Sequence, residues 1–309
     1  MININFLRVI TVFTLICLTF TFGCSQNKTE KASETSKDKI TLRIGLIPEQ
    51  NIFAQLSRYK NIGDYLEKKT NINIEFKPLT KYGDIVKDFK KLQLDGAFFG
   101  SFIYAIAHSK LGVVPIARPE SPDGSSTYHG IIFVRKDSGI NGVEDMKGKT
   151  FAFVDKATTA GYLLPLYYFK HNGITDYNKF FKKTYFTGTH ADAVYDVLNK
   201  NADIGAAKNT IFYRLVQKDP RIANELKILS RSPDVPENAL ALSENIDEKI
   251  RNKIKETLLD MNNDPVGKKV LKAFGAVKFI ETNNKDYQSV YDYADEIGLD
   301  LKTFDYTHE

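Results

Sequence analysis

Cysteine is almost missing from this chain. Two occur in 309 residues, Cys17 and Cys24, both near the N-terminus. Everything after Cys24 therefore forms no disulfide, offers no thiol nucleophile and builds no Cys-ligated metal site. Exported domains either pair their cysteines or avoid them, and this pattern fits the second habit. Long apolar runs are equally scarce, since nothing beyond the first two dozen residues is apolar enough to span a bilayer. Charge of one sign is not concentrated. The 43 Lys and Arg against 38 Asp and Glu leave +5, spread without a basic block or an Arg-rich stripe, which gives nucleic-acid binding no support. Pairs such as Lys182-Lys183 read as solvated surface. Catalytic signatures are absent too: there is no Gly-x-Ser-x-Gly elbow, no His-Glu-x-x-His and no P-loop. The five histidines (His108, His129, His171, His190 and His308) are scattered, with no visible cluster of metal ligands. The expectation is a chain that is not an enzyme and uses no metal and no cofactor.

What is present begins at the N-terminus. Arg8 is the one basic residue before an uncharged apolar run, Val9 to Phe20, followed by Thr21, Phe22, Gly23 and Cys24. A segment this short reads as a secretory signal rather than a membrane span. A Cys directly after Gly resembles a lipobox, in which residues 1–23 are removed and Cys24 is diacylated. Thr21 stands where Leu is usual, Phe22 is bulky for its place and the basic region is thin, so an ordinary signal peptide with an incidental Cys fits the same residues. Residues 24–39 then form a polar tether, because 25–39 contain no large apolar side chain. The folded part starts near Ile40 and holds about 270 residues, enough for two ordinary domains.

Apolar periodicity from Ile40 onward alternates between strands and helices. Thr41 to Leu46 reads as a strand, Ile52 to Lys69 as a helix, Ile72 to Leu79 as a strand, Tyr82 to Leu94 as a helix and Gly96 to Gly100 as a buried strand. Helix Phe102 to Ser109 and strand Val113 to Ala117 complete a unit of mostly parallel α/β type. A second unit follows, with strands at Ile131–Arg135, Thr150–Val154, Lys183–Gly188, Ala202–Ala207 and Leu226–Ser230. Helices at Gly161–His171, Ala191–Asn199 and Asn209–Gln217 lie between them. Ala239 to Leu242 reads as a strand leading back, and the C-terminal third as helices at 247–261, 265–274 and 287–297. This order predicts two lobes, one of residues 40–130 plus 238–309 and one of 131–237. Ligands of open α/β sheets sit beyond the carboxyl ends of the strands, so the cleft between the lobes is the expected site, closing as a hinge.

The most informative stretch is Phe151-Ala-Phe-Val-Asp-Lys-Ala-Thr-Thr-Ala-Gly-Tyr162. An apolar strand runs into Thr158, Thr159, Ala160 and Gly161, where a helix begins. A helix N-terminus exposes unpaired N–H groups and the positive end of its dipole, which suits an oxyanion. Two Thr hydroxyls add donors. A plain Thr N-cap explains the same residues.

Tyr128-His129-Gly-Ile-Ile-Phe-Val-Arg-Lys-Asp-Ser138, Met146-Lys-Gly-Lys-Thr-Phe-Ala-Phe-Val-Asp155 and Thr158-Thr159-Ala160-Gly161-Tyr162-Leu-Leu-Pro165 together resemble the phosphate/phosphite/phosphonate ABC transporter substrate-binding proteins (PhnD-like). The likeness runs over nearly all of the chain after the tether. It implies an α/β, two-lobed periplasmic-binding-protein fold (type II) with the ligand cleft between the lobes. It also implies delivery of a phosphate-like oxyanion to an ABC transporter permease. The family shows Ser-Thr-Ser-Gly-Tyr-Leu-x-Pro at the helix start, so Thr158, Thr159 and Ala160 are the implied ligand contacts, with one hydroxyl lost at Ala160. Pro78-Leu-Thr-Lys-Tyr82 resembles the segment that sends a Tyr into the cleft. Gly188-Thr189-His190 resembles a Ser-His pair whose His faces the ligand, and Phe98-Phe99-Gly100-Ser101 resembles a strand end with a polar contact. Tyr128 completes the implied set. Each has a structural alternative: Tyr82 as core, Tyr128 as hinge packing, His190 as a helix cap. Asp203 reads as a strand-end carboxylate and Phe98 as core.

Two departures bear on the ligand. Relatives that take aminoalkyl ligands place carboxylates at positions that align with Thr210 and Asn238, neither of which is acidic. Phe99 stands where some relatives have Tyr. The expected ligand is therefore small or carries an uncharged substituent. A ferric-ion or other small-ligand binder, and a ligand-sensing subunit of a signalling system, remain open as alternatives. The expected location is outside the cytoplasm, attached to the membrane through lipid at Cys24.

Overall fold

The computed structural model describes residues 39–307. The signal segment, Cys24, most of the tether and His308 lie outside the described residues.

The first strand, β1 (Thr41–Leu46), pairs in parallel with β2 (Asn73–Pro78) and with β3 (Gly96–Phe99). β4 (Val113–Glu120) belongs to the same sheet, as do two strands from late in the chain, β12 (Ala239–Ser243) and β13 (Lys278–Glu281). The six strands run in the order β13-β4-β12-β3-β1-β2. The second sheet takes its strands from the middle of the chain: β6 (Gly130–Arg135), β7 (Thr150–Phe153), β8 (Lys183–Phe186), β9 (Ile204–Lys208) and β10 (Leu226–Arg231), in the order β10-β6-β9-β7-β8. Between the sheets the chain passes twice through a short ribbon, β5 (Thr127–Tyr128) paired antiparallel with β11 (Val235–Pro236).

Both sheets are mixed rather than mostly parallel. β12 runs antiparallel to β3 and β4, β13 to β4, β6 to β9 and β10 to β6. The parallel strands are joined by helical crossovers. The antiparallel ones enter from the ribbon or return from the C-terminal helices, and so run the other way.

Strand side chains alternate between two helical layers. In β6, Ile131 and Phe133 pack with Val194, Val197 and Ile211, while Ile132 and Val134 pack with Phe151, Phe153 and Phe169 on the opposite face. In the six-stranded sheet, Leu42, Ile44, Leu240 and Leu242 meet Ile62, Leu66, Ile254 and Leu258. The other face, with Ala97, Phe99 and Ala241, meets Phe102, Ile106 and Val290. That last cluster continues into Val154, Ala157, Ala160 and Leu163 beyond β7, so apolar packing bridges the two sheets.

One expected helix is much shorter. Tyr82 to Leu94 carries buried side chains at helical spacing, yet only Asp84–Lys87 is helical. Asp88 leaves helical geometry, and Gln93 adopts a left-handed φ of 51° that turns the chain into β3. Ile85, Val86 and Phe89 are buried all the same. Periodicity reported burial here, not a continuous hydrogen-bond ladder.

Candidate functional site

The carboxyl ends of the parallel strands converge. Leu46 ends β1 and leads to Ile47 and Glu49. Phe99 ends β3 and leads to Gly100. Phe153 ends β7 and leads to Thr158 and Thr159, and Lys208 is itself the last residue of β9. Asn238 directly precedes β12, which runs the other way and so begins at this same end. Ile47, Glu49, Gly100, Thr158, Thr159, Lys208 and Asn238 line one small cavity with Tyr82, Tyr128 and His190.

Beyond β7 the chain turns at Asp155, whose carboxylate accepts from Ala157 N at 2.8 Å. A helix then opens at Thr159 with a wide, π-type turn, in which Leu163 N donates to Thr158 O at 3.1 Å. The amides of Thr159, Ala160 and Gly161 precede that first internal bond and remain as donors at the helix start. Gly161 permits the turn: a Cβ there would lie 2.4 Å from Val154 Cβ and 2.7 Å from Thr158 Oγ1.

The two threonines line the cavity but are buried, and their hydroxyls are already engaged. Thr158 Oγ1 donates to Asp155 O at 2.6 Å, so its proton is spent. Thr159 Oγ1 accepts from Phe102 N at 2.8 Å, a bond from the helix after β3 to the helix after β7. Its hydroxyl also hydrogen-bonds with that of Tyr128.

His190 opens the helix His190–Leu198. It does not cap that helix, because Thr189 does so by accepting from Asp192 N at 3.0 Å. His190 Nδ1 accepts from Lys208 N at 3.2 Å. A backbone N–H can only donate, so the ring carries its proton on Nε2. Burial lowers its pKa from the ordinary 6.5 to about 3, keeping it a neutral donor. Tyr82 packs edge-on against it, ring centroids 6.0 Å apart. The Tyr82 hydroxyl is buried with no hydrogen-bond partner among the described residues, and burial raises its pKa well above the ordinary value.

Two expected contacts lie differently. Ser101 is fully buried but does not line the cavity, and its hydroxyl donates to Pro236 O at 2.5 Å. Ala160 also stays off the cavity wall: it lines a separate apolar pocket with Gly130, Leu164 and Tyr168. The main-chain amide of Ala160 is what this position offers at the helix start.

Sequence reasoning missed the charged part of the site. Lys208 is buried, with Nζ 3.2 Å from Glu49 Oε1 and 2.9 Å from Asn238 Oδ1. It also donates to Glu237 Oε1 and sits 4.2 Å from the Tyr128 ring centroid. Asn238 Nδ2 donates to Glu49 Oε1 at 3.0 Å. Burial alone would push the Glu49 carboxyl up, but Lys208 overcomes it and holds the pKa at about 2. Burial opposes the Lys208 charge, and Glu237 and Glu49 hold it above the ordinary lysine value. The pair is therefore ionised. Thr210 and Asn238 are not acidic, but a carboxylate from elsewhere in the chain, Glu49, stands on the cavity wall. Thr210 lines the adjoining space with Arg58, Arg214 and Glu237. A charged residue closing the apolar strand Ile204-Gly-Ala-Ala-Lys208 was the available signal. Among the described residues no group of three or more His, Cys, Asp or Glu could hold a metal ion. No helix among them is long and apolar enough to cross a membrane.

Two mixed α/β sheets whose strand ends meet around a small polar cavity define a two-lobed binding protein of the periplasmic type. The comparisons carry this to a family. Residues 44–287 match the pattern described as "ABC transporter, phosphonate, periplasmic substrate-binding protein", and the chain belongs to that family. It is 27% identical over 270 residues to the "Phosphonates-binding periplasmic protein" of Escherichia coli (strain K12), covering 85% of this chain and 78% of that protein. Among solved structures it resembles a binding protein component of an ABC phosphonate transporter from Pseudomonas aeruginosa, with a TM-score of 0.78 and 24% identity, covering 84% and 87% of the two chains. It also resembles PhnD1 from Prochlorococcus marinus (MIT 9301) in complex with methylphosphonate, with a TM-score of 0.75 and 21% identity over 84% and 99%. These likenesses establish the fold. The family is one of transport proteins that bind substrate.

Proposed function

We propose that this chain is an exported lipoprotein that binds a phosphate-like oxyanion (phosphonate, phosphite or phosphate) and delivers it to an ABC permease. The two lobes are residues 40–130 plus 238–309 and residues 131–237, hinged at the β5–β11 ribbon. One observation carries the ligand class: unspent donors face a small buried cavity. They are the Tyr82 hydroxyl and His190 Nε2–H, beside the hydrogen-bonded Tyr128–Thr159 hydroxyl pair. Buried donors need acceptors, and an oxyanion supplies several at once. The methylphosphonate bound by the Prochlorococcus relative is of this class.

Calorimetric titration with phosphate, phosphite, methylphosphonate, 2-aminoethylphosphonate and sulfate tests the reading, and it fails if none of the phosphorus oxyanions binds. Thr159→Ala should weaken binding by about tenfold to a hundredfold, the effect of losing one hydrogen bond to a charged group, roughly 1.5–3 kcal/mol. Thr158→Ala should weaken it less, because that hydroxyl donates to Asp155 O. Full-strength binding by Thr159→Ala would move the site elsewhere.

The lipid anchor rests on Cys24 after Gly23 and is tested separately. Cys24→Ala should move the protein from the membrane fraction to the soluble fraction, since two acyl chains suffice for stable attachment and none leaves nothing to hold it. Equal membrane retention of the variant would mean that Cys24 carries no anchor.

A further inference from the structure

Lys208 does more than neutralise Glu49. A primary ammonium has three N–H donors and no acceptor. Around Nζ stand three oxygen acceptors on separate side chains, Glu49 Oε1, Glu237 Oε1 and Asn238 Oδ1, together with the face of the Tyr128 ring. That set satisfies an ammonium completely, with a cation–π contact on the remaining side. Its parts have different origins. Glu49 follows β1, Glu237 and Asn238 lead into β12, and Tyr128 lies in the ribbon, whereas Lys208 reaches in from the end of β9 in the other sheet. Asn238 is oriented for the task, since Nδ2 donates to Glu49 and so turns Oδ1 toward the ammonium.

The cage adjoins the oxyanion end of the site. Glu49, Tyr128, Asn238 and Lys208 line the same cavity as Thr158, Thr159 and His190. Two carboxylates facing one ammonium make this a place for a cation, next to donors suited to an anion. A ligand with an oxyanion at one end and a primary amine at the other would match both, were the cation place not already taken.

We infer that Lys208 is the specificity-determining residue of the cavity: its ammonium fills a built-in cation seat and thereby excludes oxyanions that carry an aminoalkyl tail. A second ammonium would meet a like charge and find its acceptors in use, a costly arrangement for a buried ion. Ligands with a hydrogen or methyl substituent need no such seat. The inference rests on the oxyanion reading above and adds to it which members of the class are admitted and why.

The test vacates the seat. Lys208→Ala and the unaltered protein are each titrated with methylphosphonate and 2-aminoethylphosphonate, and each is melted with and without methylammonium chloride, using sodium chloride as the ionic-strength control. Without Lys208, the ratio of the two affinities should shift at least tenfold toward 2-aminoethylphosphonate. Methylammonium should raise the melting temperature of the variant but not of the unaltered protein. A folded variant with an unchanged affinity ratio and no methylammonium response overturns the inference. If Lys208→Ala folds only with methylammonium present, the seat is supported directly. If it does not fold at all, Lys208→Gln combined with Glu237→Gln removes one charge of each sign and keeps Glu49, and the same shift in ratio is required of it. Failure of the oxyanion reading looks different, because the unaltered protein would then bind neither phosphonate while the methylammonium melts still report on the seat.

Discussion

Acidification from pH 6.5 to pH 3 should remove several kcal/mol of folding stability, and His190→Gln should abolish much of that loss. The folded-state pKa of His190 is about 3 against an ordinary 6.5. Between those values the unfolded chain takes up a proton at this ring and the folded chain does not, so stability rises with pH across the window. The contribution is complete above about pH 6.5 and is lost progressively as pH falls toward 3. At about 1.36 kcal/mol per unit, the full span is roughly 4–5 kcal/mol, an upper bound for an otherwise unrelaxed site. The cause is local. The ring is buried, its Nδ1 is committed to the Lys208 N–H, and the Lys208 ammonium disfavours a further positive charge, while Glu49 offsets only part of this. Urea midpoints measured from pH 7.5 to 4 for both proteins decide the matter, and parallel curves would mean that His190 is not held neutral. The same neutrality matters for binding, because it leaves Nε2–H as a donor toward the cavity without adding a charge to it.

The architecture was legible where burial and length set the pattern. β1, β3, β6, β7 and β9 are apolar runs ended by turns, and their order along the chain announces two α/β units. The β5–β11 ribbon was not legible, since two residues per strand carry no periodicity. β13 was also missed, being four residues set between helices. In the site, Thr158 and Thr159 were readable because they follow an apolar run where a helix begins, whereas Tyr82 and His190 were expected only through the family resemblance. The Lys208 cage was not readable in this way. Glu49 and Lys208 are 159 positions apart, and each alone reads as an ordinary charged residue. Only the meeting of two sheets makes them a pair. Ser101 shows the reverse. Its sequence position pointed to the ligand, but the Pro236 carbonyl, 135 residues away, takes its hydroxyl.

That cage should also bear on stability. Glu49→Ala is expected to destabilise the fold by about 3 kcal/mol at pH 7, the lower end of the range for breaking a buried ion pair by removing one partner. The lower end applies because Glu237 still faces Lys208, so the ammonium is not left without a counter-charge. The substitution nevertheless deletes an acceptor shared by Lys208 Nζ and Asn238 Nδ2, both of them buried. Glu49→Gln keeps an oxygen in that place and should lose less. The pH dependence separates this effect from that of His190. The Glu49 carboxyl is held at about 2 against an ordinary 4.5, so its contribution is complete above about pH 4.5 and disappears as pH falls through 2. The gap between Glu49→Ala and the unaltered protein should therefore stay constant from pH 7 to 5 and close only below about 4.5. Urea unfolding at pH 7, 5.5 and 3 gives the three points needed. A gap under about 1 kcal/mol at pH 7 is the size seen for exposed pairs. It would show that the Glu49–Lys208 contact is solvated in solution and that the cage is looser than its distances imply.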